Sequence, residues 1–500
     1  MFVGSRELSM NLLKDPFIST TQGRVSLKTL LTSEVDYQLQ YYFDETQLAM
    51  LQLLSSLTTV LLKPTLEELK GYLNTGLTEE QYDAKLGRID IQWFEAECFM
   101  RSAIPNGSKA ADGPITKLVS GIECGSSPNA LGLFSEVEQV DVVCPSCTHV
   151  LNYNLHMNIK GECFGPTGAT GIRGGGAIST LISGKNIKTT ILANTIAFDF
   201  FERNAQLDKD ADQRFMWDSP PTGELYQAQK IGLNRGLFAL AYHIDFPVED
   251  KACVCDVCGH TSEQSVSTFL RIKYKGHYGS TKNGRDSHAG WWLHPYTPRT
   301  VKEDGTYAVC ARDQNWQSWQ EFSSYVVGKE TDKASVKPAY IIHQYQQNLS
   351  TCAINCLVGG NIADQGSIVG RVYDLYSMPS SLNKNLGKID QVIDAGLKQK
   401  DRLSQALNKI FGVGYDKNFV GGIKEQAMTS FTAMAQQTVQ QILLDVDRKE
   451  ASKLRKEAAE KLSAEAKSIF SEVQRKYQHD LPLFKGLVKG EYVLHKVNTN

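Results

Sequence analysis

Two cysteine pairs that lie far apart in the sequence constrain the fold of this 500-residue chain more than any other feature. Cys144-Pro-Ser-Cys147 and Cys255-Asp-Val-Cys258 both have the Cys-x-x-Cys spacing that places two thiolates on one tetrahedral zinc ion. Two such pairs complete a closed four-cysteine site, so one ion would hold two distant segments together. We therefore predict a structural Zn²⁺ ion bound by these four cysteines.

The identity of the ligands leaves one alternative open, because Cys253 and His260 flank the second pair and could replace one of its cysteines. A catalytic zinc ion needs an open coordination position and a nearby general base. The zinc deaminases combine His-x-Glu with Pro-Cys-x-x-Cys. Here Pro145 lies inside its pair, and no histidine is followed by x-Glu. The pattern therefore indicates a structural metal and argues against that class of enzyme.

Composition limits the classes of partner. The formal net charge is −2, so any contact with nucleic acid requires a local basic patch, or partners that neutralise most of the phosphates. Eleven cysteines, an odd number, favour a reducing cytoplasm in which the pairs bind metal. No long apolar run and no signal-peptide pattern occur, so we expect a cytoplasmic protein without a membrane span.

The pattern of the sequence changes near residue 375. Residues 1–375 read as a mixed α/β region, with a helix predicted over Glu45–Leu62 and strands over Thr268–Lys275 and Lys337–His343. Residues 376–500 repeat apolar positions at helical spacing, which predicts a bundle of three or four helices. The predicted fold class is therefore α+β: a mixed α/β domain over 1–375 with a zinc clamp, then a C-terminal four-helix bundle over 376–500.

A glycine-rich segment, Gly161–Gly176, matches neither common phosphate-binding template. Gly184-Lys185-Asn186 lacks the Ser or Thr that ends a Walker loop. Pro166 and the β-rich stretch that follows the segment argue against the dinucleotide fingerprint. Its glycines would let the backbone approach another polymer closely, although a plain surface turn is equally compatible with the composition.

Positive charge concentrates further along the chain, at Arg271, Lys273, Lys275, Lys282 and Arg285. On a strand the first three would share one face, which suits a phosphate backbone, although a solvated hairpin has the same pattern.

Two other segments are ambiguous when taken alone. Gly359–Gly366 reads as a polar turn. His288 and His294, close to Asp286, raise the alternative of a zinc-dependent nuclease of the histidine–asparagine–histidine (HNH) kind.

Taken together and in order, several segments resemble the CasA family, the large subunit of type I-E CRISPR–Cas surveillance complexes (Cascade). The order and spacing of the whole set carry the resemblance, because each motif is weak alone. The matching segments are Asn11-Leu-Leu, Cys144-x-x-Cys147-Thr148, Ile172-Arg-Gly-Gly175, Gly236-Leu-Phe, Cys255-x-x-Cys-Gly259, Phe269-Leu270, Gly290-Trp-Trp-Leu-His-Pro-Tyr-Thr-Pro298, and Gly359-Gly360 with Gln365.

The resemblance implies a non-catalytic DNA-reading subunit used in antiviral defence. Such a subunit recognises the protospacer-adjacent motif (PAM) in double-stranded DNA, starts the unwinding that leads to an R-loop, and recruits a helicase–nuclease. The implied partners are CRISPR RNA, target double-stranded DNA, the helicase–nuclease, and the backbone, small and RNA 5′-handle-binding subunits of Cascade. The implied location is the cytoplasm of a prokaryote.

The resemblance also implies three elements that approach the minor groove of DNA: a glycine loop, a lysine on a β-hairpin and a glutamine wedge. In this sequence they fall on Phe164, Gly165 and Gly168, on Lys273, and on Asp364, Gln365 and Gly366. The alternatives are the HNH-type nuclease and a zinc-ribbon scaffold protein without DNA contact.

Overall fold

The computed structural model describes residues 10–119, 140–159, 161, 164, 167–174, 177–204, 207–223, 225–282, 285–288, 292–303, 307–309, 317–326, 328–330, 334–349, 354–364, 367–378 and 382–495. The chain divides into two compact units. The first unit comprises Met1–Gln314, Glu330–Leu349 and Cys356–Leu375, and the second comprises Asn315–Lys329, Ser350–Asn355 and Tyr376–Asn500.

Regular structure within these residues is mixed in the first unit and almost entirely helical in the second. The α-helices are α1 (Leu27–Thr32), α2 (Asp44–Leu62), α3 (Leu66–Thr75), α4 (Glu79–Leu86), α5 (Pro145–Met157), α6 (Ile187–Ala193), α7 (Phe198–Asn204), α8 (Leu233–Leu237), α9 (Phe322–Val326), α10 (Tyr340–Gln344), α11 (Leu382–Leu407), α12 (Lys417–Leu443), α13 (Ala451–Lys476) and α14 (Leu481–His495). The strands are β1 (Ile18–Thr20), β2 (Gly23–Val25), β3 (Ala111–Pro114), β4 (Ser179–Ser183), β5 (Leu225–Gln227), β6 (Tyr242–Asp245), β7 (Cys253–Val254), β8 (Thr261–Ser262), β9 (Thr268–Lys273), β10 (His277–Lys282), β11 (Arg285–His288), β12 (Arg299–Lys302), β13 (Tyr307–Val309), β14 (Lys329–Glu330), β15 (Ala334–Lys337), β16 (Ile354–Asp364) and β17 (Ser367–Met378).

The strands form small sheets rather than one large one. Their orders are β1-β2, β11-β10-β5, β13-β12-β15-β14, β17-β16-β4, β3-β9-β6 and β7-β8. In the sheet β3-β9-β6 the central strand β9 is antiparallel to both neighbours, and Lys273 pairs with Tyr242. The connection from β6 to β9 contains β7 and β8, so the second cysteine pair lies within the connection between these two strands. This sheet therefore links the cysteine pair to the basic strand.

Helix α2 is the central core helix of the first unit. Almost all of its residues are buried, and it packs against α5 and α6. Polar residues on it bond internally: Thr58 and Thr59 donate back to the carbonyl groups of Leu54 and Ser55, at 2.7 and 2.8 Å. The predicted helix is confirmed, but its burial on all sides goes beyond the one-sided leucine stripe of the sequence. No single helix among the described residues is long and apolar enough to cross a membrane, whereas the bent pair α2 and α3 meets those criteria jointly.

The second unit contains the bundle formed by α11 to α14. Helix α11 packs against α12, α13 and α14, and the apolar positions that predict the helices are largely buried in the bundle. Trp319 is fully buried and donates from Nε1 to the carbonyl oxygen of Thr432 at 3.0 Å. A Cβ on Gly396 would lie 2.7 Å from the ring of Trp319. The α+β fold class with a C-terminal helical bundle is therefore confirmed.

Two strand predictions need correction. The strand predicted over Thr268–Lys275 ends at Lys273. The strand predicted over Lys337–His343 is wrong, because β15 ends at Lys337 and helix α10 follows. Pro338 cannot donate a ladder hydrogen bond, and a short apolar run such as Tyr340–Ile342 reads equally well as a buried helix.

Candidate metal centre and nucleic-acid interface

The four predicted cysteines meet in the interior of the first unit. Cys144 occupies the N-cap position of α5 and Cys147 lies in its first turn, while Cys255 and Cys258 lie in the turn between β7 and β8. All four Sγ atoms are buried and lie within 4.8 Å of one another, with 3.9 Å between Cys144 and Cys258. A tetrahedral ion with Zn–S bonds of about 2.3 Å separates its sulfurs by about 3.8 Å. The four sulfurs therefore fit a zinc ion.

Hydrogen bonds also join the segments that carry the two cysteine pairs. The Asp256 carboxylate accepts from the backbone N–H groups of Asp141 and Val142, at 2.9 and 2.8 Å. Val143 also forms a two-way backbone bridge with Val266. The segment that leads into the first pair is thus joined to a residue within the second pair and to a residue that follows it. A metal bound by the four cysteines would join the same two segments of the chain.

Gly259 allows the tight turn that follows Cys258. Its φ of +75° lies in the left-handed region, and its N–H donates to the carbonyl oxygen of Cys255 at 2.7 Å. A Cβ here would collide with the hydroxyl of Tyr42. The backbone N–H of Tyr42 in turn donates to the carbonyl oxygen of Val257 at 2.9 Å, so the residues just before α2 pack against the turn that carries Cys255 and Cys258.

Electrostatics around the sulfurs favour negative charge on some of them. Hydrogen bonds with Cys144 and Cys147 lower the pKa of Cys258, whereas the hydrogen bond with Cys144, together with burial, raises the pKa of Cys147. Burial disfavours the charge of Arg24, but the negative charge of the neighbouring cysteines outweighs this and raises the pKa of Arg24. A bound divalent ion would favour the thiolate form of all four cysteines, because its charge stabilises coordinating sulfur anions.

The two alternative ligands do not belong to this cluster. The group of candidate ligand atoms in the described residues contains the four cysteines, and neither Cys253 nor His260. The Sγ atom of Cys253 instead contacts the carbonyl oxygen of Gln264 at 3.6 Å.

Within the glycine-rich segment, Phe164 and Gly168 lie among the described residues and Gly165 lies outside them. The half-buried Phe164 ring packs edge-on against Tyr242 and Phe269, with centroids 6.1 and 6.4 Å away. The phenyl ring therefore attaches the segment to the sheet β3-β9-β6.

The basic strand differs from the prediction of one exposed face. Arg271 is only 6% exposed, and its guanidinium carbon lies 4.2 Å from the centroid of the Phe164 ring. Burial lowers the pKa of Arg271. Lys273 is exposed and ends β9, and Lys275 lies beyond the strand. Only the end of the predicted basic stripe is thus available to solvent on β9.

The segment predicted to be a polar turn, Gly359–Gly366, runs as strand β16 through Asp364, so that prediction is wrong up to this residue. A Cβ on Gly359 would lie 2.8 Å from Leu48 of α2. Gly360, at φ +151°, lies against the backbone of Ala177, whose oxygen would be 3.1 Å from a Cβ. The glycines thus let β16 pack closely. Gln365 and Gly366 lie outside the described residues, between the end of β16 and the start of β17.

One buried arginine had no predicted role. Arg173 is fully buried and donates to the side chains of Asn158, Thr297 and Ser179, the last two at 2.9 and 2.7 Å. Burial lowers the pKa of Arg173 to about 10. Its position between Ile172 and glycines was the only signal in the sequence, and it anchors the end of the glycine-rich segment.

One of the two histidines of the nuclease alternative, His294, is placed unfavourably for metal binding. His294 is 1% exposed and lies between the rings of Trp292 and Tyr296. Burial lowers the pKa of His294 well below its ordinary value. Its Nδ1 accepts weakly, at 3.4 Å, from the backbone of Tyr296. His294 therefore packs as a core residue.

The chain is similar to known proteins over nearly its whole length. The family model described as CRISPR-associated protein Cse1 matches residues 11–469. Cse1 from Acidimicrobium ferrooxidans is 13% identical, with a TM-score of 0.68 and 98% of both chains covered. CasA (Cse1) from Thermus thermophilus is 14% identical, with a TM-score of 0.68, covering 97% of this chain and 98% of that one. A chain described as part of a CRISPR RNA-guided surveillance complex is 12% identical, with a TM-score of 0.66, covering 98% of this chain and 100% of that one.

Proposed function

The chain belongs to the CRISPR-associated protein Cse1 family, and from this premise we propose that it is the non-catalytic large subunit of a type I-E Cascade complex. In this role it recognises the PAM in double-stranded DNA, starts duplex unwinding and recruits the helicase–nuclease that cleaves the DNA. The membership confirms the resemblance to the CasA family that the ordered motifs indicate.

The observation that carries the proposal is the attachment of two expected DNA contacts to one strand. Lys273 is exposed at the end of β9. Two residues earlier, Arg271 contacts Phe164 and Thr167 of the glycine-rich segment. The glycine-rich segment and Lys273 are thus both attached to β9. A glycine backbone can approach the minor groove closely, and a flexible lysine can reach acceptors on the base edges.

The wedge remains a proposal from the family resemblance. Asp364 ends β16, and Gln365 with Gly366 connects it in sequence to β17. In the proposed mechanism these residues enter the duplex beside the PAM, where unstacking costs a few kcal/mol. The exchange of a DNA duplex for an RNA–DNA duplex changes the free energy little, so a small free-energy contribution to the first strand separation decides whether the exchange proceeds.

We propose that the four cysteines bind one structural Zn²⁺. The ion would hold the N-terminus of α5 against the turn between β7 and β8, and thereby fix the connection that leads into β9. Four thiolates leave no open position for substrate, so the ion would supply folding free energy rather than chemistry.

The test compares Lys273→Ala with the exposed control Lys209→Ala, each in the assembled RNA-containing complex. Binding is measured at several salt concentrations, on guide-matched duplexes randomised in the base pairs beside the matched segment. If Lys273 contacts phosphate, the slope of log affinity against log salt should fall by about one in Lys273→Ala only. If it contacts base edges, the differences in affinity among the randomised sequences should become smaller in Lys273→Ala instead.

Two results would overturn the proposal. One is wild-type affinity, salt slope and sequence preference in Lys273→Ala, combined with no preference for any motif in the unmodified complex. The other is metal-dependent cleavage of DNA by the isolated chain, which would favour the nuclease alternative.

A further inference from the structure

We propose that Arg271 is a positioning residue of the DNA-reading surface: it clamps the glycine-rich segment onto β9 and does not itself contact DNA. The inference rests on the proposed function for its purpose, but the clamp can be tested without DNA. Its position in a basic run predicts the opposite role, that of a phosphate contact.

The clamp is built from three aromatic rings and a hydroxyl. The guanidinium carbon of Arg271 lies 4.2 Å from the ring centroid of Phe164, 5.6 Å from Phe269 and 6.0 Å from Tyr242. Its Nη2 donates to Thr167 Oγ1 at 2.9 Å. Phe164 and Thr167 belong to the glycine-rich segment, whereas Phe269 and Tyr242 belong to β9 and β6. The cation therefore lies between the segment and the sheet and contacts both.

Burial separates this arginine from a phosphate-binding one. Arg271 is 6% exposed, and its Nε is buried without a hydrogen-bond partner among the described residues. In the described part of the chain no carboxylate forms an ion pair with Arg271. Its guanidinium instead makes cation–π contacts with the rings of Phe164 and Phe269. A planar guanidinium stacks on aromatic faces in a way that an ammonium cannot reproduce. The site thus selects the shape of arginine as well as its charge.

A second contact acts in parallel. The backbone N–H of Ala169 donates to the Tyr242 hydroxyl at 2.6 Å. Within the segment, the Thr167 hydroxyl donates to the backbone carbonyl oxygen of Phe164 at 3.0 Å. Tyr242 pairs across the sheet with Lys273. Because alternate residues share one face of a strand, the side chains of Arg271 and Lys273 leave β9 on the same side. The contacts that hold the segment therefore also fix its distance from Lys273.

The first experiment measures the clamp alone. Amide hydrogen exchange of the full chain is compared for the unmodified protein, Arg271→Lys, Thr167→Val and the control Thr75→Val, an exposed threonine on α3 whose hydroxyl bonds within its helix. Exchange at residues 167–174 should quicken at least several-fold in the first two variants, while β3 and β6 stay unchanged. Unchanged exchange in both variants would refute the clamp, whatever the DNA results.

The second experiment measures the consequence in the assembled complex. Arg271→Lys keeps the charge, so the salt slope should stay constant, while the affinity ratio between preferred and disfavoured motifs falls about tenfold. Thr167→Val should shift the same ratio in the same direction. The affinity ratio of the double variant should be close to that of Arg271→Lys, because both substitutions remove the same contact between Arg271 and Thr167. A merely structural defect would reduce the fraction of active complex and leave this ratio intact.

The outcomes separate the two levels of argument. Two results together would make Arg271 a phosphate contact and overturn the inference. The affinity ratio between motifs in Arg271→Lys would equal that of the unmodified complex, and the slope of log affinity against log salt would fall by about one in Arg271→Met. Faster exchange without any motif preference in the unmodified complex would instead leave the clamp standing and overturn the proposed function.

Discussion

Lowering the pH should destabilise the first unit through one buried histidine beneath the glycine-rich segment. His156 is 1% exposed, and its Nδ1 accepts the backbone N–H of Ala241 at 3.0 Å. Burial lowers the pKa of His156 to about 3, from an ordinary value of 6.5. The unfolded chain therefore binds a proton between these values that the folded chain does not. Stability from this residue is complete above pH 6.5 and is lost as the pH falls toward 3.

The size of the effect follows from the shift. Each pH unit in this window changes the free energy of unfolding by about 1.4 kcal/mol for one such group. Between pH 6.5 and pH 5, His156 should thus account for a loss of about 2 kcal/mol, and for about 5 kcal/mol over the whole window.

Denaturant unfolding at pH 7.5, 6.5 and 5 measures this loss in the unmodified protein and in His156→Asn. The amide oxygen of asparagine can accept the same N–H bond but does not titrate, so the variant should lose about 2 kcal/mol less between pH 6.5 and 5. Other buried histidines and any release of metal affect both proteins alike and cancel in the difference. Equal pH dependence in His156→Asn and the unmodified protein would refute the reasoning.

Three further substitutions test the metal site and the packing. Cys258→Ser should reduce bound zinc from about one ion per chain to nearly none by elemental analysis and should lower the melting temperature; full zinc content would contradict the four-cysteine site. Gly259→Ala should cost about 1 kcal/mol for its φ of +75° in denaturant unfolding; the Tyr42 hydroxyl that the Cβ would meet ends an exposed side chain that can rotate away, so adding Tyr42→Ala should change this cost little. Gly236→Ala should cost about 1–3 kcal/mol, because its Cβ would collide with the buried ring of Trp292; a stability equal to that of the unmodified protein would mean that the ring can move aside.

Features with a local chemical signature could be predicted from the sequence. The cysteine spacing identified the four residues that meet, because two thiolates three residues apart already favour one tetrahedral ion. The helical bundle was equally predictable, since buried positions such as Ile389, Leu454 and Leu462 repeat at the period of a helix.

Features that depend on contacts between distant segments could not be predicted. The burial of Arg271 is set by Phe164 and Tyr242, which come from other parts of the chain. Gly359 and Gly360 resemble a turn by composition, but their lack of a Cβ serves the packing of β16 against α2 and Ala177. In both cases tertiary contact overrides the local pattern.

The distance in sequence between the two cysteine pairs has a consequence for biosynthesis. During translation, Cys144 and Cys147 emerge before the segment that carries Cys255 and Cys258. At a synthesis rate of about 5–20 residues per second, the second pair follows the first by roughly 5–20 seconds. During this interval its thiols have no complete coordination sphere, so oxidants or other metal ions can react with them. The yield of correctly assembled protein should therefore depend on zinc supply and redox conditions while the chain is being made, and adding zinc after synthesis should rescue only part of it.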